Sequence, residues 1–76
     1  MTPQELGAQM RAAREETGLT MKAVARRLFV ATYTVRRWEH GTRMPQVDML
    51  DAYLRVVGGF IVLGLSTSVN TQEVTT

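Results

Sequence analysis

The sequence predicts one small, mostly α-helical domain, built from four or five short helices and followed by a β-strand near the C-terminus. Three observations lead to this prediction. The 76 residues are too few for two domains of ordinary size. Apolar residues repeat at spacings of three and four up to about residue 57, which is typical of helices that bury one face. A continuous apolar run then follows two glycines and is rich in strand-forming residues.

The first helix is marked at both ends. Thr2, Pro3 and Glu5 match a capping box with proline in the first helical position, so the helix is expected to start at Pro3. Gly18 supplies a left-handed residue that ends the helix near Thr17. The apolar stripe of this helix is Leu6, Met10 and Ala13.

The second and third helices are shorter. Thr20 offers an N-cap for a helix from about Met21 to Leu28, and a further helix is predicted from about Thr32 to His40, stopped by Gly41. In the third helix, an apolar arc of about 60° is separate from a polar arc of about 140°, so one face is expected to pack and the other to reach outward. The buried side of the second helix is Val24, Ala25 and Leu28; the apolar arc of the third is Ala31, Val35 and Trp38, and its polar arc is Thr32, Tyr33, Arg36, Arg37 and His40.

The fourth helix follows the loop GTRMP, which contains Pro45. We predict this helix from about Gln46 to Val57, and Gly58 and Gly59 mark its end. The apolar residues at helical spacing are Val47, Leu50, Leu54 and Val57.

The segment after the fourth helix is predicted to be a strand over residues 60–65, with apolar side chains on both faces. Such a strand needs cover on both faces, and unpaired it would be prone to aggregate, so we expect it to pair with its twin in a homodimer. Residues 1–59 then form the helical domain and residues 66–76 a flexible tail, with a weak strand around residues 69–74 as the lesser alternative. The expected dimer-interface residues are Phe60, Ile61, Val62, Leu63 and Leu65.

Positive charge is concentrated in the middle of the chain. Residues 21–43 hold six basic residues against one acidic residue, a net charge of +5, whereas the whole chain carries only +2. A local patch of this kind is expected for a protein that binds nucleic acid or another acidic partner. A solvated helix face is the alternative that charge alone leaves open.

Several function classes are disfavoured by the composition. The chain has no cysteine and a single histidine, His40, so we expect neither a disulfide nor a metal site. It has no paired carboxylates placed for acid–base work and no phosphate-cradling glycine loop, so we expect no enzyme and no cofactor. Its apolar stretches are far shorter than the roughly 18 residues of a membrane span, and no signal peptide is recognisable, so we expect a cytoplasmic protein without a membrane partner.

Two short helices joined by a tight turn inside a small bundle are the helix-turn-helix arrangement. From Leu6 to Gly58, about two-thirds of the chain, the sequence resembles the DNA-binding domain of the Cro and phage-repressor family, which implies a lambda-repressor-like fold. The segments that carry the resemblance are LGAQMRAAREETGLT, VARRLFV and TVRRWEHGTRMP. The matching positions are Arg14, Gly18, Leu19, Thr20, Ala25, Leu28, Val30, Val35, Trp38, Glu39, Gly41 and Pro45.

Three positions depart from the family pattern. Phe29 stands where the family turn commonly has glycine, so either this residue is strained or the turn is built differently. Ala31 stands where serine is common, so we expect Thr32 to cap the third helix instead. Met21 replaces a glutamine that contacts DNA in the family, which puts that one contact in doubt.

The resemblance implies roles for particular residues. An ion pair between Arg14 and Glu39 would clamp the first helix to the third, and Trp38 would lie in the core. Arg27 and Arg55 are expected to be solvated. The residues expected to read bases in the major groove are Arg37, Tyr33, Thr32 and Arg36, and those expected to contact phosphate are Thr20, Lys22, Arg26, His40, Thr42 and Arg43. For Arg36 and Arg37, a contact with phosphate alone is the alternative.

The function that follows is a sequence-specific transcriptional regulator, expected to be a Cro-like repressor that binds an inverted-repeat operator in double-stranded DNA as a homodimer. It would act in a bacterial or phage-infected cell. The alternative is an antitoxin-type module that neutralises a toxin protein and autoregulates its own operon, since small antitoxins carry the same motif with an added strand or tail.

Overall fold

A computed structural model describes residues 1–58, which form the four helices α1 (Pro3–Thr17), α2 (Met21–Leu28), α3 (Thr32–His40) and α4 (Val47–Val57). The prediction of a mostly helical domain is confirmed. The fourth helix begins one residue later than predicted because Gln46 is its N-cap. The predicted strand over residues 60–65, the tail over residues 66–76 and Gly59 lie outside the described residues. Within residues 1–58, no helix is both long and apolar enough to cross a membrane.

The N-terminal caps of the first two helices are formed by threonine side chains. The amide of Glu5 donates to Thr2 Oγ1 at 3.0 Å, and the amide of Thr2 donates to Glu5 Oε1 at 2.7 Å, which completes the capping box. The bond from the Thr2 backbone amide holds the pKa of Glu5 below its ordinary value. At the start of α2, Thr20 Oγ1 accepts from the amide of Ala23 at 3.0 Å.

The helix ends differ in one respect. The other three helices end at glycines in the left-handed conformation, whereas α2 ends at Phe29 with φ 59° and ψ 40°. A non-glycine residue in this conformation costs about 1 to 2 kcal/mol because its Cβ approaches the next carbonyl oxygen. The Phe29 side chain is 95% exposed, so burial offsets little of that cost. Of the two possibilities that the sequence left open, the structure shows the strained residue.

Three expectations about side chains were wrong. Thr32 does not cap α3: it is the first helical residue, and Ala31 is the N-cap with no side-chain hydrogen bond, because alanine has no oxygen to offer. Ala31 is also exposed, since it precedes the helix in an extended conformation and the helical projection does not apply to it. Val47 is 84% exposed, because it lies on the first turn of α4, beyond the residues that face the core.

The core receives two buried apolar side chains from each of the four helices. α3 packs against α1 and α2, and α4 packs across α2 and α1. Trp38 is 4% exposed, as predicted for a core residue. The buried apolar side chains are Leu6, Met10, Val24, Ala25, Val35, Trp38, Tyr53 and Val57.

Glycine at position 7 allows α1 to approach α3 closely. A Cβ atom on Gly7 would lie 2.5 Å from the carbonyl oxygens of both Trp38 and Glu39, far inside ordinary contact. At the end of α3, a Cβ on Gly41 would lie 2.7 Å from Gln4 Cα. The backbone of α1 therefore packs directly on the C-terminal end of α3, and this contact fixes the position of α3 relative to α1.

Candidate nucleic-acid interface

The third helix has one side in the core and one side in solvent. Val35, Trp38 and Glu39 are buried, whereas Arg36 is exposed and Tyr33 is 60% exposed. Thr32 and Arg37 are half-buried, and His40 is exposed at the end of the helix. The four residues predicted to read bases therefore lie on the side of α3 that the core leaves uncovered: Thr32, Tyr33, Arg36 and Arg37.

A buried ion pair anchors the other side of α3 to α1. Arg14 Nε donates to Glu39 Oε2 at 2.7 Å, and Arg14 Nη2 donates to Glu39 Oε1 at 3.0 Å, so the pair is bidentate. Arg14 Nη1 also donates to the carbonyl oxygen of Leu19 at 2.8 Å, in the connection between α1 and α2. The hydrogen bond to Glu39 raises the pKa of Arg14 above its ordinary value.

Tyr53 brings α4 into the same network, a role that the sequence analysis missed. Its hydroxyl lies 2.8 Å from Glu39 Oε2 and 2.9 Å from the carbonyl oxygen of Met10. Burial, together with the bond to Glu39, raises the pKa of this hydroxyl well above its ordinary value. The ring also meets Trp38 edge to face, with centroids 6.5 Å apart. The available signal was its position, three residues after Leu50 and four before Val57, on the apolar stripe of α4.

Pairing of Glu39 with Arg14 leaves the basic segment without a balancing charge. Glu39 is the only acidic residue between positions 21 and 43, and its side chain is 2% exposed. The other two ion pairs formed within residues 1–58 join Arg11 to Glu15 and Arg55 to Asp51, outside this segment. None of the segment's basic side chains takes part in an ion pair among the described residues. Arg37 is half-buried, and the other five are exposed: Lys22, Arg26, Arg27, Arg36 and Arg43.

The residues predicted to contact phosphate lie at the N-cap of α2 and along this helix, at the end of α3 and in the loop that follows. Lys22 and Arg26 are one turn apart on α2, and His40 and Arg43 are exposed near the end of α3.

The two threonines predicted to contact phosphate differ in their hydrogen bonds. Thr20 Oγ1 accepts from a backbone amide, so its hydroxyl hydrogen remains available to a phosphate oxygen. Thr42 Oγ1 instead donates to the carbonyl oxygen of Arg37 at 3.3 Å. In this conformation, Thr42 has no hydroxyl hydrogen left for a phosphate.

Two side chains of the outer face of α3 are in contact with each other. The guanidinium carbon of Arg37 lies over the Tyr33 ring, 5.4 Å from its centroid. Around this face and throughout residues 1–58, no three of the side chains His, Asp and Glu come together as a metal site would require.

The sequence pattern of the family described as a helix-turn-helix domain matches residues 5–59, close to three-quarters of the chain. That match spans all but the first two residues of the four helices and includes both sides of α3. No curated protein and no solved structure matches the chain. The chain belongs to the helix-turn-helix domain family.

Proposed function

We propose that the protein is a sequence-specific regulator of transcription that binds double-stranded DNA, and that it acts as a Cro-like repressor. The observation that carries this proposal is the two-sided character of α3. Its apolar side is fixed by Trp38 and by the network around Glu39, while its outer side carries the exposed Tyr33 and Arg36 and the half-buried Arg37. An α-helix with such a face fits the major groove of B-DNA.

On DNA, Arg37 is the first candidate for base readout, because a guanidinium binds guanine O6 and N7 through two hydrogen bonds. Tyr33 and Thr32 offer hydroxyls and an apolar surface for a thymine methyl group, and Arg36 is the fourth candidate. The residues proposed to hold phosphate are Thr20, Lys22, Arg26, His40 and Arg43, with Thr42 contributing only if its hydroxyl leaves Arg37.

A single copy with about six phosphate contacts would bind weakly and with a steep salt dependence. A two-fold homodimer places two reading helices about 34 Å apart, one turn of DNA, and its operator is an inverted repeat. The proposed dimer element is residues 60–65 together with α4, on which Val47 is exposed and Leu50 and Leu54 are half-buried. Truncation after Gly59 is expected to give a monomer by mass in solution. A truncated protein that remains dimeric would remove residues 60–65 from the interface.

Selection of bound sequences from random DNA tests the function directly. The wild-type protein is expected to select an inverted repeat, and Arg37→Ala is expected to lose the preference at one base pair in each half-site. Arg27→Ala is the matched control, since Arg27 is an exposed arginine of α2 with no proposed base contact. This variant should keep the sequence preference of the wild-type protein. If no sequence is enriched by the wild-type protein, the proposed function is wrong. An unchanged preference in Arg37→Ala would remove Arg37 from the readout.

A further inference from the structure

Arg37 is held at its guanidinium by an aromatic ring rather than by a carboxylate. Its guanidinium carbon is 5.4 Å from the centroid of Tyr33, within the distance of about 6 Å at which a cation is attracted to a ring face. The two residues are one helical turn apart on the uncovered side of α3. Since no carboxylate pairs with Arg37 among residues 1–58, the ring is the side chain that orients it.

The backbone of Arg37 is held as well. Its carbonyl oxygen accepts hydrogen bonds from the amides of Thr42 and Arg43 at 3.0 and 3.3 Å, and from the Thr42 hydroxyl at 3.3 Å. The loop after Gly41 therefore fixes one end of this residue and Tyr33 the other. Arg36 is a useful contrast because it is adjacent and exposed. Among the described residues it lies over no ring, and its carbonyl oxygen accepts no hydrogen bond from the loop after Gly41.

We propose that Tyr33 is a positioning residue for Arg37, and that the ring makes recognition of guanine by Arg37 stronger than an unsupported arginine would achieve. This inference rests on the DNA-binding function proposed above. A guanidinium carries five N–H groups, so contact with one ring leaves N–H groups available to guanine O6 and N7. An arginine that is already oriented loses less side-chain entropy when it binds guanine. The smaller entropy loss strengthens binding to guanine and so increases selectivity at the base pair that Arg37 reads.

The test is a double-mutant cycle on the selected operator, with Tyr33→Leu, Arg37→Ala and the double variant. Each protein is titrated against the operator and against the same DNA with the Arg37-dependent G·C pair changed to A·T. Tyr33→Leu is expected to reduce the guanine preference about two- to fivefold, the size of an exposed cation–π contact, and to have no further effect on it once Arg37 is alanine. Tyr33→Phe keeps the ring and should keep the guanine preference at the Arg37-dependent pair, whatever affinity the loss of the hydroxyl removes at a base pair that Tyr33 itself contacts.

Two controls separate positioning from a general loss of binding. The dependence of affinity on salt should be the same for wild type and Tyr33→Leu, because no phosphate contact is removed. Arg36→Ala combined with Tyr33→Leu should give additive losses, because Arg36 has no contact with the ring. In the free protein, the side-chain proton shifts of Arg37 caused by the ring should persist in Tyr33→Phe and disappear in Tyr33→Leu.

The outcomes distinguish this inference from the proposed function. A wild-type protein that selects no DNA sequence overturns both. If selection depends on Arg37 but Tyr33→Leu keeps the full guanine preference, the DNA-binding function stands and the positioning role is wrong. The same conclusion follows if Tyr33→Leu lowers the guanine preference by the same factor whether position 37 is arginine or alanine. A loss in Tyr33→Phe as large as in Tyr33→Leu would assign the effect to the hydroxyl and would also overturn the inference.

Discussion

Replacing Arg14 by methionine removes the charge that faces Glu39 and keeps an apolar side chain of similar reach. The Glu39 carboxylate, 2% exposed, would then keep only the Tyr53 hydroxyl, which it shares with the carbonyl oxygen of Met10. Removal of one partner from a buried ion pair typically costs about 3 to 5 kcal/mol, because the remaining charge is left without compensation. A chain of this length has a free energy of unfolding of about 4 to 11 kcal/mol. We therefore expect the variant to lose a large part of its stability.

Urea unfolding measures this loss, with Trp38 as a built-in probe because it is the only tryptophan and is buried. Arg11→Met is the matched control: it breaks the exposed pair with Glu15, and such surface pairs contribute about 0 to 1 kcal/mol. Replacing both Arg14 and Glu39 by apolar residues should recover much of the stability, since no buried charge remains. A loss in Arg14→Met no larger than in Arg11→Met would refute the reasoning that this network anchors α3.

Three further predictions concern stability. Phe29→Gly should raise the free energy of unfolding by about 1 kcal/mol and the melting temperature by about 4 to 8 °C. The substitution relieves the strain of the left-handed conformation, and the side chain that it removes is 95% exposed. A lower melting temperature would mean that Phe29 makes stabilising contacts. Gly7→Ala should prevent the close contact of α1 with α3 and lower the melting temperature strongly. Ala8→Gly, on the exposed side of α1, should lower the free energy of unfolding by only about 0.5 to 1 kcal/mol. Equal losses of stability in the two variants would contradict the role of Gly7. The raised pKa of Tyr53 implies a contribution to stability that is fully present below pH 10 and is lost as pH rises further, since the unfolded chain releases this proton first. Urea unfolding between pH 8 and 11 should therefore show a smaller alkaline loss of unfolding free energy in Tyr53→Phe than in the wild type. Identical pH profiles of the two proteins would contradict this prediction.

The helices could be predicted from the sequence because their signals are local. The capping box at Thr2 and the glycines at positions 18, 41 and 58 act within one or two turns, so the helix bounds follow from neighbouring residues. Ala31 and Val47 were misplaced because a helical projection shows which residues share a face, and it does not show where the helix begins or how far a neighbour covers it.

The candidate site was only partly accessible to sequence reasoning. The outer face of α3 follows from its periodicity, since the polar side chains there are opposite Val35 and Trp38. The role of Tyr53 depends on atoms 14 and 43 residues away in the chain, and no local pattern records such contacts. The contact of Arg37 with Tyr33 likewise depends on side-chain conformation, which spacing permits and does not fix.

The most direct test of DNA binding by the outer side of α3 is to map, by backbone and side-chain chemical shifts, where the selected DNA contacts the protein. We predict that the largest changes fall on Thr32, Tyr33, Arg36 and Arg37, with smaller changes at Lys22, Arg26 and Arg43. Trp38 and the Arg14–Glu39 pair should change little, because they lie on the buried side of α3. Changes confined to α1 and α4, with the outer side of α3 unaffected, would contradict the claim that this face reads DNA.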